Sequence, residues 1–227
     1  MTAWIESQLP EKSPLREKVV PDYPPFVKRM LQDNGSWLRA LQQDNADLIT
    51  DAITRIEERG IVCGDTLHEV DVIIYATGFD NHRWLYPINI VGREGKVLAN
   101  EWGDDPQANL GITVPGYPNL FCIYGPATNL AHAGSLVFNS ECQVRYILGC
   151  IWAILENDCQ LMECTEEANA EYNERLQEWI KQLVWANGST NNWYKNSKGK
   201  VTANLPWRLV DYWQWTREPD LSQYNLS

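Results

Sequence analysis

Two short segments that end in glycine are the parts of the chain best suited to chemistry. The first covers residues 71–80, where an apolar run leads into Ala76, Thr77 and Gly78. Ligands of open α/β sheets lie just beyond the carboxyl ends of the strands, and small residues there let a nucleotide approach the main chain. The segment therefore predicts a buried strand with a nucleotide at its exit. A core strand followed by an ordinary turn is the alternative.

A second apolar run with the same kind of ending follows at residues 116–126. It consists of a turn, a short apolar stretch and an exit at Gly125 and Pro126. The loop that comes next, residues 127–135, is small and polar, which suits contact with a ring system. If the two exits face one crevice, they would border the same cofactor.

Lys28 and Arg29 are adjacent cations in a chain dominated by acids. The sequence contains 19 lysines and arginines against 30 aspartates and glutamates, a net charge of -11. A neighbouring pair of cations is by default a solvated surface feature. The overall charge argues against nucleic acid and anionic membranes as partners, because both select for basic faces.

The composition also indicates the cellular compartment and argues against a metal site. No window approaches the roughly 18 consecutive apolar residues of a membrane span, and the N-terminal stretch has no signal-peptide core. We therefore expect a cytoplasmic protein with no membrane partner. The six cysteines form no C-x-x-C pair and no cluster with the three histidines, so they predict buried free thiols and no metal site.

The elements that position these residues read as an α/β fold. Hydrophobic periodicity predicts a helix at 36–41, strands at 46–50, 53–56 and 60–65, a hairpin at 88–98, and helices at 140–155 and 165–185. The helix at 140–155 fits a capping box at Ser140 and an apolar stripe from Val144 to Leu155 that would face the core. Its positive N-terminal end would point at ring or pyrophosphate atoms, with simple packing as the alternative.

One expected motif is missing. A nucleotide-binding sheet normally opens with a glycine-rich turn between a strand and a helix, and no G-x-G-x-x-G occurs in this chain. The observed strand pattern is therefore typical of the closing part of such a sheet.

Taken together, these blocks resemble the C-terminal portion of the Baeyer–Villiger monooxygenases, and most closely the 4-hydroxyacetophenone monooxygenase type. The resemblance covers nearly the whole chain in the family's order. The matching blocks are Pro21-Asp-Tyr-Pro-Pro with Lys28-Arg29, residues 71–80, residues 110–121, residues 125–135, residues 140–146, residues 193–196 and residues 206–212.

The resemblance implies an α/β flavoprotein with two dinucleotide-binding domains, here represented by incomplete Rossmann-like sheets, flanking helices and a small hairpin region. Residues 1–80 would finish the NADP-binding domain and residues 81–227 the FAD-binding domain. The implied enzyme uses FAD, NADPH and O2 to make a flavin C4a-peroxide, which inserts one oxygen beside a ketone carbonyl. The glycine motifs of the family lie upstream of these blocks, so activity is expected to need the missing N-terminal half.

Individual residues acquire roles through the same resemblance. Arg29 matches the catalytic arginine that stabilises the peroxyflavin anion, and Lys28 matches the lysine that meets the NADPH 2′-phosphate. Trp193 matches a tryptophan on the mobile loop that folds over the nicotinamide ribose. Cofactor contacts are also implied at the two exits, which comprise Ala76, Thr77, Gly78, Gly125 and Pro126. Ala127 stands where the family often has asparagine, so any contact made by that amide is in doubt.

Two other functions compete with Baeyer–Villiger oxidation. One is a flavin monooxygenase that oxygenates a heteroatom with the same peroxide. The other is a truncated chain without catalysis, which the missing glycine motifs favour. The adjacent cations and the Asp-Tyr-Pro-Pro block favour the ketone-oxidising enzyme.

Overall fold

The computed structural model describes residues 1–31, 33–131, 134–188 and 190–227. They form two units that are each described by themselves. The first consists of Met1–Pro25 and Met30–Phe79, and the second of Phe26–Arg29 and Asp80–Ser227. The assignment of 1–80 and 81–227 to an NADP-binding and an FAD-binding domain stays a prediction.

Three short helices in the first unit pack around a small apolar core. They are α1 (Thr2–Ser7), α2 (Leu15–Val19) and α3 (Ser36–Ala40), and the core residues are Leu9, Val19 and Leu38. Arg16 of α2 connects this helix to the end of α1 and the residues after it, because its guanidinium donates hydrogen bonds to the carbonyls of Glu6, Leu9 and Pro10. The helix predicted at 36–41 is confirmed as α3.

A three-stranded antiparallel sheet completes the first unit. Its strands are β1 (Ile53–Glu57), β2 (Gly60–Cys63) and β3 (Thr66–Glu69), in the order β1-β2-β3. Gly60 is needed where the strands meet, since a Cβ there would stand 2.0 Å from the carbonyl oxygen of His68. The strands predicted at 53–56 and 60–65 are confirmed, whereas 46–50 belongs to no strand.

The buried strand predicted at residues 71–80 is wrong. The segment is in no strand, and the side chains of Val72, Ile74 and Phe79 are 74%, 86% and 93% exposed. A strand buried on both faces needs neighbouring strands and covering helices. The described sheet supplies neither to this segment, because β3 ends at Glu69 and pairs only with β2.

Four helices and a two-stranded sheet organise the second unit. The helices are α4 (Leu98–Trp102), α5 (Leu136–Glu156), α6 (Glu166–Ile180) and α7 (Leu209–Trp215), and the antiparallel strands are β4 (Met162–Cys164) and β5 (Tyr224–Leu226). Short 3-10 turns occur at Arg93–Gly95, Val184–Ala186 and Leu221–Gln223. The helix predicted at 165–185 is confirmed as α6, which ends at Ile180, before the residues of the second 3-10 turn.

The long helix α5 differs from its prediction in both its start and its buried face. Its N-cap is Ser135, whose Oγ accepts a hydrogen bond from the N–H of Phe138, so Ser140 lies inside the helix and caps nothing. The face turned inward carries small and polar residues, namely Asn139, Cys142, Gln143, Tyr146, Cys150 and Ala153. The predicted core stripe is largely exposed, with Val144 at 41% and Leu148 at 53%. Periodicity alone could not decide between two faces that both repeat every 3.6 residues.

The remaining predicted strands are reduced to single bridges. The hairpin at 88–98 keeps one bridge between Val91 and Val97, and a hydrogen bond from the Gly92 N–H to the Lys96 carbonyl closes its turn at 2.8 Å. Within 116–126 one bridge joins Phe121 to Thr113, so the predicted strand there is wrong. Irregular backbone therefore makes up most of residues 80–131.

Three features of the described residues concern membrane spans, metal-binding groups and the cysteines. No helix among these residues is both long and apolar enough to cross a membrane. Nor do the described residues hold a group of three or more metal-binding side chains. All six cysteines are free thiols, five of them buried and Cys159 half-buried, so the prediction of free and mostly buried thiols is confirmed.

Candidate functional site

The segment that carries Lys28 and Arg29 is anchored in the second unit. Phe26–Arg29 groups with that unit although both flanking stretches group with the first. The side chain of Val27 in this segment is 0% exposed, and burial of a valine side chain contributes about 1.5 kcal/mol or more to stability. Lys28 and Arg29 themselves are exposed.

The positive charge of Arg29 acts on the phenol of Tyr194. Tyr194 is fully buried, and its hydroxyl has no hydrogen-bond partner among the described residues. Burial raises the pKa of Tyr194 above its ordinary value, and the Arg29 guanidinium opposes that rise because a nearby cation favours the phenolate. The ring of Trp193 lies 4.4 Å from the ring of Tyr194. The structure thus brings together two residues that the sequence separates by more than 160 positions.

Main-chain hydrogen bonds connect this aromatic pair to the second glycine exit. The N–H of Thr202 donates to the carbonyl of Tyr194 at 3.1 Å, and the carbonyl of Thr202 accepts from the N–H of Ala127 at 3.0 Å. A parallel bridge joins Asn129 to Asn204, and their side-chain amides share a 2.6 Å hydrogen bond. Residues 194, 202 and 127 therefore form one continuous backbone link.

The glycine exit itself is buried and tightly packed against neighbouring backbone. Gly125 and Pro126 are buried, and a Cβ at Gly125 would stand 2.2 Å from the carbonyl oxygen of Gly111. The flanking residues Tyr124 and Ala127 have φ angles of 55° and 57°, in the left-handed region that side chains rarely adopt. Strained backbone of this kind collects at binding and catalytic sites.

Ala127 is 5% exposed, so its side chain faces the interior. The left-handed region is one that asparagine tolerates better than alanine. The family's asparagine at this position is therefore explained in part by backbone conformation, without any contact to a cofactor.

A set of buried amides lies beneath the exit and was missed by the sequence reasoning. Gln143 of α5 accepts from the N–H of Tyr124 at 2.7 Å and donates to the hydroxyl of Tyr212 at 3.0 Å. Asn139 Oδ1 and Asn204 Nδ2 are buried without a partner. The available signal was the amide pair Asn139 and Gln143, four residues apart in the sequence and so on one face of a helix.

Lys195 fixes the loop before the aromatic pair and was also missed. It is 9% exposed, and its ammonium donates to the carbonyls of Asn187 and Thr190. A buried lysine needs such partners, because an unpaired buried charge is costly. Lys195, which follows Tyr194, thereby binds to two residues that precede Trp193. Trp193 remains 39% exposed.

The first glycine exit belongs to the other unit. Ala76, Thr77 and Gly78 are exposed there, and Gly78 has open space around its α-carbon. They are described only within that unit. Within the polar loop predicted at 127–135, positions 132 and 133 lie outside the described residues.

Comparisons with known proteins place this chain in a family. No family model matches the chain. An uncharacterized monooxygenase from Sinorhizobium fredii is 41% identical over 98% of the chain and 34% of its own length. A Baeyer-Villiger monooxygenase from Pseudomonas aeruginosa is 34% identical over 94% of the chain and 40% of its own length.

Solved structures agree with these relatives. Cyclohexanone monooxygenase from a Rhodococcus species, bound to NADP+, superimposes with a TM-score of 0.82 at 26% identity, over 100% of this chain and 44% of the other. The OTEMO complex with FAD and NADP gives 0.84 at 25% identity, over 100% and 43%. The chain thus spans well under half the length of its relatives.

The fold and the matches define a part of a flavoprotein monooxygenase with two dinucleotide-binding domains, which confirms the predicted fold class. The chain belongs to the monooxygenase family that includes the Baeyer–Villiger enzymes. The closer likeness to the 4-hydroxyacetophenone monooxygenase type stays a prediction.

Proposed function

We propose that the chain is part of an FAD- and NADPH-dependent monooxygenase that inserts one oxygen atom of O2 beside a ketone carbonyl. The observation that carries this proposal is the electrostatic effect of Arg29 on Tyr194, whose ring lies against that of Trp193. Relatives named Baeyer-Villiger monooxygenase and FAD-binding monooxygenase support it, as do neighbours solved with FAD and NADP.

The residues around the second exit are compatible with a flavin. Asn204 Nδ2 is a donor without a partner, and Asn139 Oδ1 is an acceptor without one. A flavin ring carries carbonyl and N–H groups that complement both. The 21-residue helix α5 begins at the same loop, and a helix N-terminus favours electron-rich groups. When bound, the flavin would provide the reactivity toward O2, and NADPH would provide the electrons.

Arg29 would stabilise negative charge on the reacting oxygen. A guanidinium stays protonated at any working pH and offers several donors in a rigid fork. No carboxylate among the described residues forms an ion pair with Arg29, so its charge is available to a ligand. In a site that excludes water, an unpaired oxyanion would be costly, which gives the cation a large effect.

Lys28 and Trp193 would hold the nicotinamide cofactor. A flexible ammonium suffices for the 2′-phosphate, because that contact needs a charge more than a fixed geometry. The half-exposed indole of Trp193 could cover the nicotinamide ribose. Ala76, Thr77, Gly78, Gly125 and Pro126 complete the proposed cofactor contacts.

The partner that completes the enzyme would be an upstream polypeptide with the glycine-rich motifs. Two apolar surfaces are suited to it, the exposed face of α5 around Leu148 and the extended residues 72–79. Exposed apolar patches of this kind mark interaction surfaces. We further infer a cytoplasmic location, which the six free thiols support because they persist in reducing compartments.

A chimera tests the proposal. This chain would replace the matching part of the Pseudomonas aeruginosa relative, and the purified protein would be assayed with NADPH, O2 and a panel of cyclic, linear and aromatic ketones. The expected products are esters or lactones formed with consumption of one NADPH each. A chimera that binds FAD but oxygenates only sulfides or amines would favour the heteroatom enzyme. One that binds FAD and oxygenates nothing would favour a chain without catalysis.

A further inference from the structure

A half-open cavity of about 290 Å³ lies in the second unit between α5, α6 and the chain that follows α7. Its lining contains none of the residues at 124–129 or 193–204. A cavity of this size admits one small organic molecule and is too small for a macromolecular segment of any length.

The hydroxyl of Tyr172 is the first sign of a ligand. Tyr172 lines the cavity, is 4% exposed, and its hydroxyl has no hydrogen-bond partner. Burial raises the pKa of Tyr172 above its ordinary value, so the group is a neutral phenol that can donate and accept. Buried hydroxyls are nearly always satisfied, and this one has no partner among the described residues.

Arg175, an exposed residue of α6, supplies a cation beside three aromatic rings. Its guanidinium stands 4.7 Å from the ring centre of Trp215, 5.3 Å from that of Trp207 and 6.0 Å from that of Tyr172. Stacking on rings uses the faces of the guanidinium and leaves its N–H edge free for a carboxylate. Among the described residues no acid forms an ion pair with it.

Two carboxylates share the lining with this cation. Asp220 is occupied by its own turn, because it accepts from the N–H of Ser222 at 3.1 Å and from its hydroxyl at 2.7 Å. Glu171 forms no ion pair among the described residues and stands one helical turn before Arg175 on α6. Residues four apart on a helix share a face, so opposite charges line one side of the cavity.

We propose that the cavity binds a small zwitterion of the α-amino acid class. Its carboxylate would pair with Arg175 and accept from the Tyr172 hydroxyl, and its ammonium would pair with Glu171. Its side chain would lie against Tyr146, Leu110 and Trp215. Glu171 and Arg175 are both exposed, and a ligand with both charges can pair with the two at once, whereas a simple anion or a simple cation can use only one of them.

Three matched probes test the charges of the ligand. The 227-residue chain would be titrated with L-phenylalanine, with 3-phenylpropionate, which lacks the ammonium, and with phenethylamine, which lacks the carboxylate. Calorimetry or ligand-observed NMR should give saturable binding of phenylalanine, and at least about tenfold weaker binding of the other two, as expected for loss of a charge-assisted contact.

Substitutions test the protein side. Arg175→Gln and Glu171→Gln should each weaken phenylalanine binding about tenfold or more, and Tyr172→Phe about threefold to tenfold. Arg145→Gln is the matched control, since its guanidinium stands 5.7 Å from the Trp213 ring and does not line the cavity. Circular dichroism melting would verify that each variant folds, and Arg175→Lys should recover part of the binding.

Three outcomes would overturn the proposal. They are no saturable binding of phenylalanine to the folded chain, equal affinity for phenylalanine and 3-phenylpropionate, and unchanged binding in Arg175→Gln. None of these depends on oxygenation, so failure here is separable from failure of the proposed enzyme activity.

Discussion

The positive charge of the Arg29 guanidinium counteracts the effect of burial on the pKa of the Tyr194 phenol. The same tyrosine contacts Trp193 and, through Thr202, is linked to Ala127 after the glycine exit. A cation near the start of the chain therefore acts on an aromatic pair near its end. All of these residues belong to the second unit.

Carbon-13 NMR of labelled tyrosine can verify this contact without any cofactor. Arg29→Ala should shift the ring resonance of Tyr194, because the guanidinium contributes to the electrostatic field at its oxygen. Lys28→Ala is the control, since the neighbouring cation is exposed and is not among the causes of the Tyr194 pKa shift. Tyr194→Phe assigns the signal. Equal shifts in both variants, or none in either, would argue against the contact.

The chain alone should hold FAD weakly. The pyrophosphate of a dinucleotide is normally bound by backbone amides at a glycine-rich helix start, which this sequence lacks. The purified chain should lose its flavin absorbance on dialysis against buffer, whereas the chimera should retain it. Near-stoichiometric FAD on the dialysed chain alone would refute this expectation.

Local signals in the sequence were sufficient where the element is stabilised by its own neighbours. The hairpin of β2 and β3 has its turn at Gly64, and α6 has its N-cap at Thr165, whose hydroxyl accepts from the N–H of Ala168. Both could be predicted because a few adjacent residues decide them. At the predicted exit the chain turns at Pro126 and Ala127, although no strand precedes it.

Signals that depend on distant neighbours misled the prediction. Residues 71–80 have the composition of a buried strand, but a strand exists only beside another strand. On α5 the core selects the face of Cys142 and Tyr146, although the opposite face is more apolar. The position of Arg29 against Tyr194 could not be derived from spacing at all, because only the tertiary fold brings them together.

The left-handed backbone at Ala127 can be tested by glycine substitution. Ala127→Gly removes strain of about 1–2 kcal/mol. It also loses a buried methyl group and increases the conformational entropy of the unfolded chain, and both effects destabilise the fold. Because these effects oppose each other, the free energy of unfolding should change by less than about 0.5 kcal/mol. Ala108→Gly is the control, because Ala108 is equally buried and has no positive φ. It should cost about 1.5 kcal/mol. Equal losses in urea melts would show that Ala127 is not strained.

Thiol reactivity should distinguish Cys159 from the buried cysteines. Burial raises the pKa of Cys122 to about 11, of Cys150 to about 12 and of Cys164 to about 11. Only the thiolate reacts, so these three should stay inert between pH 7 and 9 until the chain unfolds. An aromatic disulfide reagent at pH 8 should therefore modify Cys159 first.

The control for this experiment is Cys159→Ser. It should remove the rapid phase of labelling and leave the slow phases unchanged. Rapid labelling of Cys150 in the folded chain would contradict the burial described for α5.

The central claim is that Arg29 acts on the reacting oxygen while Lys28 binds the nicotinamide cofactor. In the chimera with the Pseudomonas aeruginosa relative, Arg29→Ala should lower oxygen insertion about 10²- to 10³-fold, as for loss of one donor to a developing oxyanion, while flavin reduction by NADPH continues. Lys28→Ala should mainly raise the NADPH concentration required and weaken its preference over NADH.

Stopped-flow absorbance combined with product analysis on these two variants measures both steps in one enzyme. The account expects separate defects, in oxygen insertion for Arg29→Ala and in NADPH binding for Lys28→Ala. Ketone oxygenation by Arg29→Ala at a rate close to that of the parent chimera would contradict it, and the two cations would then be a solvated surface pair.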